Sequence, residues 1–232
     1  MTRRLGCCLL LSLLAAPPAA AQTLADYDYE NLNFRGVGFD YGWIWPTKVN
    51  STPMYSLRLD LGFLGPAVRL SPSVSYWNSE FRLSELDRLA DRLEQLPVLQ
   101  QQGVTIDAAD LGVVEWSDLV LGLDGHLVWT APLDVITYVG AGLSLHALNG
   151  RGDAIADTFV EDLLDSTTAG IQFSAGVELQ PVERFRFYGE VRYTVASDVR
   201  YPGVRAGAAL MLPPTTSAVN APVRAPVPGG SR

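Results

Sequence analysis

The chain has 232 residues, a formal net charge of −8 and two cysteines. The acidic balance argues against nucleic acid as a partner, because phosphate binding needs a basic patch. Both cysteines, Cys7 and Cys8, fall within the first 21 residues, so the rest of the chain can form neither a disulfide nor a thiolate metal site.

Residues 1–21 have the pattern of a secretory signal peptide. Arg3 and Arg4 precede an apolar run from Cys7 to Leu14, and three alanines end at Ala21 as a small-residue cleavage site. The apolar run is shorter than the roughly 20 residues that a membrane-spanning helix needs, and no later stretch is long enough. We therefore expect a signal peptide at 1–21 and a folded domain at 22–212, with no helical membrane span.

The folded part alternates large apolar residues with small or polar ones, which is the period of two expected of β-strands. The first such run is Gly36 to Trp45, where the odd positions are large and apolar while most even positions are glycine or aspartate. Eight runs of this kind predict eight strands of about 9 to 11 residues, the length a tilted strand needs to cross a bilayer. They lie near residues 36–45, 56–63, 68–76, 118–129, 139–146, 171–179, 185–193 and 204–212.

The connections between these strands alternate in length. Those after the second, fourth and sixth strands are tight and contain proline, whereas two long excursions follow the third and fifth strands, at 77–112 and 148–168. Both excursions repeat apolar residues at helical spacing, which predicts a short helix in each, either packed on the rim or acting as a lid or docking helix. The residues concerned are Leu86, Leu89, Leu93 and Leu96 in the first and Ile155, Phe159, Leu163 and Leu164 in the second.

The glycines indicate which face of the sheet points inward. They fall on the polar face, and an eight-stranded barrel is so narrow that its concave side favours small residues. The apolar face is then outside, which only lipid tolerates; the alternative is a soluble periplasmic barrel with a ligand cavity. Four aromatic residues are placed as the two interfacial girdles of such a membrane barrel: Tyr41, Trp43, Trp45 and Trp129.

The predicted fold is therefore all-β: an eight-stranded antiparallel up-and-down transmembrane β-barrel with short helices in two extracellular loops. After Leu212 the chain is rich in proline, alanine and glycine, and we expect 213–232 to be a disordered tail.

From about Leu32 to Leu212 the chain resembles the small eight-stranded outer-membrane barrels, the OmpA-like and OmpX-like group. Its last strand ends in the pattern of their assembly signal, at Arg205, Gly207, Leu210 and Leu212. The resemblance implies insertion by the barrel-assembly machinery and residence in the outer membrane, among lipid and lipopolysaccharide. We expect a monomer.

The predicted inner face carries eleven charged residues of nearly balanced sign, which we expect to pair across strands and fill the lumen. The alternative is a narrow polar conduit lined by the same residues. They are Asp40, Arg58, Asp60, Arg69, Asp118, Asp124, Glu178, Arg186, Glu190, Arg192 and Arg205.

The inner face also carries the residue types of a serine hydrolase, at Ser144, His146, His126 and Asp124. Two arguments weigh against this interpretation: residues spaced by two share a face without pointing at one another, and lipid does not reach a lumen. We expect no enzyme activity, no cofactor and no metal. The functional hypotheses are a structural or surface-interaction barrel, a small-solute or hydrophobic-compound transporter, and an envelope hydrolase acting on lipid A.

Overall fold

The structure is a computed structural model that describes residues 32–65, 67–94, 112–153, 155, 156, 158 and 164–212. The predicted signal peptide at 1–21 and the predicted tail at 213–232 lie outside these ranges. Most of the predicted second loop helix also lies outside them, so that helix stays a prediction.

Eight antiparallel strands close into a barrel in which each strand pairs with its neighbours in sequence and the first pairs with the last. Closure leaves no unpaired strand edge facing the barrel surroundings, which a sheet in hydrocarbon requires. The predicted eight-stranded up-and-down barrel is confirmed. The strands are β1 (Leu32–Ile44), β2 (Thr52–Gly65), β3 (Val68–Glu80), β4 (Glu115–Ala131), β5 (Val135–Arg151), β6 (Ser166–Val182), β7 (Phe185–Ala196) and β8 (Arg200–Met211).

The strands are longer than predicted, with 12 residues in β7 and 17 in β4, β5 and β6. The predicted loop starts at Trp77 and Leu148 were therefore wrong, because β3 continues to Glu80 and β5 to Arg151. The additional strand residues include polar ones on the outer face, such as Asn78 and Glu80. They extend the barrel wall beyond its apolar band at the end that bears the long loops, called the loop end below.

One helix, α1 (Leu83–Glu94), follows β3 and confirms the helix predicted in the first long loop. Leu86 and Ala90 are buried, whereas Leu83 at its start is exposed. Arg82 fixes the start of the helix to the loop after β1, since its guanidinium donates to the carbonyl oxygen of Pro46 at 2.9 Å. None of the described helices has the length and hydropathy of a membrane-spanning helix.

The outer face of the barrel is apolar and the inner face is polar. Outward side chains such as Phe39, Leu57 and Val191 are 52%, 55% and 56% exposed, whereas Asp40 and Ser56 on the inner face are 0% and 2% exposed. An apolar band of this extent aggregates in water and is stable in lipid. The assignment of the apolar face to the outside is therefore confirmed, and the barrel is a transmembrane one.

The tight connection between β4 and β5, Pro132–Asp134, has positive φ at two residues that are not glycine. Leu133 has φ 68° and Asp134 has φ 57°. Positive φ at both central residues matches the right-handed twist of a hairpin, but asparagine or glycine adopts it far more easily than leucine. The opposite end of the barrel, which carries such connections, is called the turn end below.

We expect Leu133→Asn to raise the free energy of unfolding by up to about 1 kcal/mol. Leu133 is 93% exposed, so the substitution loses no packing while it relieves an unfavourable backbone conformation. Urea unfolding in detergent micelles measures the change. Leu133→Val is the matched control and should destabilise, because a β-branched residue tolerates positive φ least. Equal stability of the two variants would contradict the assignment of strain to this turn.

Candidate functional site in the barrel interior

The inner face carries aromatic rings in addition to the glycines and charged residues that the alternation predicts. Five aromatic side chains point inward and are at most 6% exposed: Trp77, Trp116, Tyr138, Tyr188 and Tyr201. These rings fit into the space that inward-facing glycines leave free. At Gly176 in β6, a methyl group would lie 2.5 Å from the ring of Tyr138, so the ring occupies the space that a side chain would take.

Gly176→Ala should therefore lower the free energy of unfolding by about 1–3 kcal/mol, the usual cost of overpacking a filled interior. Gly189 in β7 provides a matched control, because a methyl group there would have nothing within 4 Å. Urea unfolding of both variants in micelles makes the comparison. If Gly176→Ala proved no more destabilising than Gly189→Ala, the tight packing of Tyr138 would be refuted.

Glu190 in β7 is the centre of the charged interior. Its carboxylate accepts from Arg58 at 2.8 Å, from Arg192 at 2.8 Å, from Arg205 at 2.8 Å and from the Tyr138 hydroxyl at 2.6 Å. These partners come from β2, β7, β8 and β5, so one carboxylate connects four strands across the lumen. Charge-assisted bonds of this kind are stronger than neutral ones.

Asp40 in β1 lies beside this centre. It accepts from the Tyr188 hydroxyl at 3.0 Å and from the Arg205 guanidinium at 3.4 Å. The guanidinium of Arg58 stacks over the Tyr188 ring at 4.5 Å, a cation–π contact that adds to the same cluster. Arg192 also donates to Asp124 in β4 at 2.8 Å, which extends the network to a sixth strand of the barrel.

A second group of ion pairs lies closer to the turn end. Arg69 in β3 donates with both terminal nitrogens to Glu178 in β6, at 2.8 and 2.5 Å. Arg186 in β7 contacts Asp60 in β2 at 2.9 Å and Glu178 at 3.4 Å. The cavity that remains among these side chains measures about 20 Å³, room for about one water molecule.

The loop end of the lumen is closed by buried apolar side chains, which we call the apolar cap. Trp77 is at its centre, with ring centroids 6.3 Å from Trp116 and 6.1 Å from Tyr201. All members are at most 4% exposed, so the cap separates the charged interior from the loops. The cap consists of Ile44, Val49, Met54, Trp77, Trp116, Leu148, Ala196, Val199 and Tyr201, with Phe81 packed against it.

Below the cap, three side chains are hydrogen bonded in the order found in serine hydrolases. His146 Nδ1 donates to Asp118 Oδ2 at 2.7 Å, and Ser144 Oγ lies 2.9 Å from His146 Nε2. With Nδ1 as the donor, the neutral imidazole accepts the serine hydroxyl proton at Nε2. The expectation that Ser144 and His146 do not point at one another was therefore wrong, and the carboxylate is Asp118, whereas Asp124 pairs with Arg192.

This chain of three residues is enclosed. Ser144 is 2% exposed, and His146 and Asp118 are both 0% exposed. The ring of Tyr201, a member of the cap, lies 6.5 Å from that of His146. A serine nucleophile needs room for its substrate and donors for the oxyanion, and the packing around Ser144 offers no such room. The arrangement therefore connects β4 and β5 inside the barrel.

His126, the other histidine, is separate from this chain. It is 0% exposed and packs against Tyr138, with ring centroids 4.6 Å apart. Neither ring nitrogen has a hydrogen-bond partner among the residues that the structure describes. Across those residues, no group of three or more His, Cys, Asp or Glu side chains is arranged to hold a metal ion.

The residues predicted for the two interfaces lie on the outer face. Tyr41, Trp43 and Trp45 are 47%, 39% and 43% exposed near the loop end of β1, and Trp129 is half-buried near the turn end of β4. In and directly after β8, Arg205 points inward, while Leu210 and Leu212 are each 43% exposed. Gly207 lies against Asp40 in the neighbouring β1.

The closed barrel, its apolar exterior and its charge-filled interior define a small transmembrane β-barrel of the kind found in outer membranes. No protein-family model and no curated protein matches the chain.

Three solved barrels are similar in overall fold. Neisserial surface protein A has 15% identity and a TM-score of 0.48, over 77% of this chain and 97% of that one. Ail of Yersinia pestis, in complex with the heparin analogue sucrose octasulfate, has 10% identity and a TM-score of 0.47, over 77% and 97%. The N-terminal β-barrel domain of Pseudomonas aeruginosa OprF has 13% identity and a TM-score of 0.44, over 76% and 97%.

Proposed function

We propose that this protein is a non-conducting outer-membrane barrel with a structural or surface-interaction role in the cell envelope. The observation that carries the proposal is the filled interior. Five arginines and six carboxylates occupy the lumen, and the apolar cap closes it at the loop end. Such a barrel supports loops at the membrane surface without providing a path through the membrane.

The two other hypotheses fit the interior less well. Transport of small solutes needs a continuous aqueous path, whereas the cavity near the turn end has a volume of only about 20 Å³. A hydrolase needs an accessible nucleophile, whereas Ser144 is 2% exposed beneath the apolar cap. We therefore favour an interaction role over both transport and lipid A hydrolysis.

Planar-bilayer recording tests the proposal directly. We expect the purified barrel to leave the membrane conductance at background, because the Arg–carboxylate pairs block the lumen. A boiling-dependent shift in gel mobility of the same sample verifies that the inserted protein is a closed barrel. Discrete conductance steps from such a sample would overturn the non-conducting assignment and favour the transport hypothesis.

The proposal includes the route into the membrane. Arg205, Gly207, Leu210 and Leu212 are the proposed signal for the barrel-assembly machinery, and the aromatic residues Tyr41, Trp43, Trp45 and Trp129 are the proposed interfacial girdles. The two leucines support this role because both are exposed, Leu210 on the outer face of β8 and Leu212 directly after the strand, as a segment read by another protein must be. Membrane lipid and lipopolysaccharide are the proposed surroundings of a monomeric barrel.

A further inference from the structure

A polar cleft lies on the outer face of the barrel near the loop end, outside the interior described above. It has a volume of about 270 Å³. Its lining consists of Asn50, Asn78, Ser79, Glu80 and Glu115. The side-chain amides of the two asparagines and both carboxylates have no hydrogen-bond or ion-pair partner among the described residues.

The walls of this cleft are held in place by the loop that follows β1. The amide N–H of Asn50 donates to the carbonyl oxygen of Glu80 at 2.9 Å, and Ser79 Oγ donates to the carbonyl oxygen of Asn50 at 2.9 Å. Thr52 Oγ1 donates to the carbonyl oxygen of Asn78 at 2.6 Å. The polar groups therefore stand on a rigid frame, which reduces the ordering that ligand binding would require.

The two carboxylates do not stabilise the sheet. Glu80 and Glu115 are directly opposite on β3 and β4, and like charges in this position repel. A ligand that donates hydrogen bonds to both carboxylates would offset this repulsion. The neighbouring amides offer acceptors and donors alike, and this mixture is complementary to sugar hydroxyls, each of which both donates and accepts.

The cleft also lies at a particular depth in the membrane. Tyr55 and Tyr76 are opposite each other on β2 and β3, and both point outward, 49% and 46% exposed. Tyrosines at this position mark the boundary between apolar chains and headgroups. Asn78 is two residues beyond Tyr76, or about 7 Å along the strand. The cleft therefore faces the headgroup layer.

We propose that this cleft binds an uncharged sugar headgroup, as carried by a glycolipid of the surrounding leaflet. Its volume is just below the range of about 300–1,000 Å³ typical of drug-sized ligands, so it holds a single sugar ring rather than a whole glycan. The inference rests on the proposed membrane placement, but it does not depend on whether the lumen conducts.

The experiment follows the side-chain amide signals of Asn50 and Asn78 by NMR, with the barrel in phosphocholine micelles. Maltose supplies the sugar alone, dodecyl maltoside supplies it on an alkyl chain, and dodecyldimethylamine oxide supplies the same chain without sugar. We expect maltoside to shift both signals at lower concentration than maltose, because the micelle concentrates it near the site. The amine oxide should shift neither signal.

Glu80→Ala combined with Glu115→Ala should weaken maltoside binding at least tenfold, because two charged acceptors are lost. Both residues are exposed, so folding is retained, and a boiling-dependent gel shift verifies this. Glu183→Ala, which removes an exposed glutamate at the turn end, is the matched control and should bind as the unaltered protein does.

Saturation by maltose as well as by maltoside supports a site for sugar from either source, and saturation by maltoside alone supports a site for the lipid-borne sugar. The proposal is overturned if the double variant binds as tightly as the control. It is also overturned if the amine oxide shifts the amides equally, or if Mg²⁺ shifts them and neither sugar does. A conducting barrel that still bound maltoside would refute only the proposed function.

Discussion

Glu190→Gln is expected to lower the free energy of unfolding by about 3–5 kcal/mol, the usual cost of removing one partner from a buried charge pair. The substitution keeps the shape of the side chain but removes the negative charge that three guanidiniums share. Arg58, Arg192 and Arg205 would then be confined together in the lumen without that charge. Urea unfolding in micelles, followed by the boiling-dependent gel shift, measures the loss.

Glu183→Gln is the control for this prediction, because it removes the same charge from an exposed position at the turn end. Its effect should stay within about 0.5 kcal/mol, as for most surface substitutions. If Glu190→Gln were as mild as the control, water rather than the carboxylate would be solvating the three guanidiniums. The lumen would then have to be wetter than the contacts indicate.

Alternation along the chain was sufficient to predict the strands and their inward faces. Side chains in a strand alternate between the two faces with no dependence on distant residues, so Arg58 and Asp60 could be placed inside from their local sequence. The same rule holds for Leu57 and Leu59 outside. The closure into a barrel also followed, because an apolar exterior requires a sheet without edges.

The same alternation continues beyond the predicted end of the third strand and places Trp77 on the inner face. Ser71, Ser73, Ser75 and Trp77 are successive inward positions of β3, so the strand continued where a loop was predicted. The predicted strand ended at Tyr76, four residues before the observed end of β3 at Glu80. Opposing glycines such as Gly176 make room for inward rings, and their pairing with a ring depends on strand register rather than on local sequence.

Partners across the lumen could not be predicted for the same reason. Arg58 and Glu190 are 132 residues apart in sequence, and Arg205 and Asp40 are 165 apart. Which charges meet depends on strand tilt and on the reach of each side chain across the barrel. His146 illustrates this dependence: its carboxylate partner is Asp118 on the neighbouring strand, although Asp124 on that strand also points inward.

Trp77→Ala should lower the free energy of unfolding by about 3–5 kcal/mol, because it leaves a large cavity at the centre of the apolar cap. Trp77 is 1% exposed, and its ring meets those of Trp116 and Tyr201 edge to face. Trp77→Phe retains part of this packing and should cost clearly less. Urea unfolding of the two variants in micelles gives the comparison, and equal costs would contradict the close packing of the cap.

The same variant tests separately the two structures that close the lumen, which are the apolar cap and the ion pairs around Glu190. Trp77→Ala opens the cap but leaves the pairs of Glu190 with Arg58, Arg192 and Arg205 in place. We therefore expect its planar-bilayer conductance to remain at background despite its lower stability. Conductance steps in Trp77→Ala alone, with the unaltered barrel silent, would show that ions pass through the charge network and that the apolar cap is what closes the barrel.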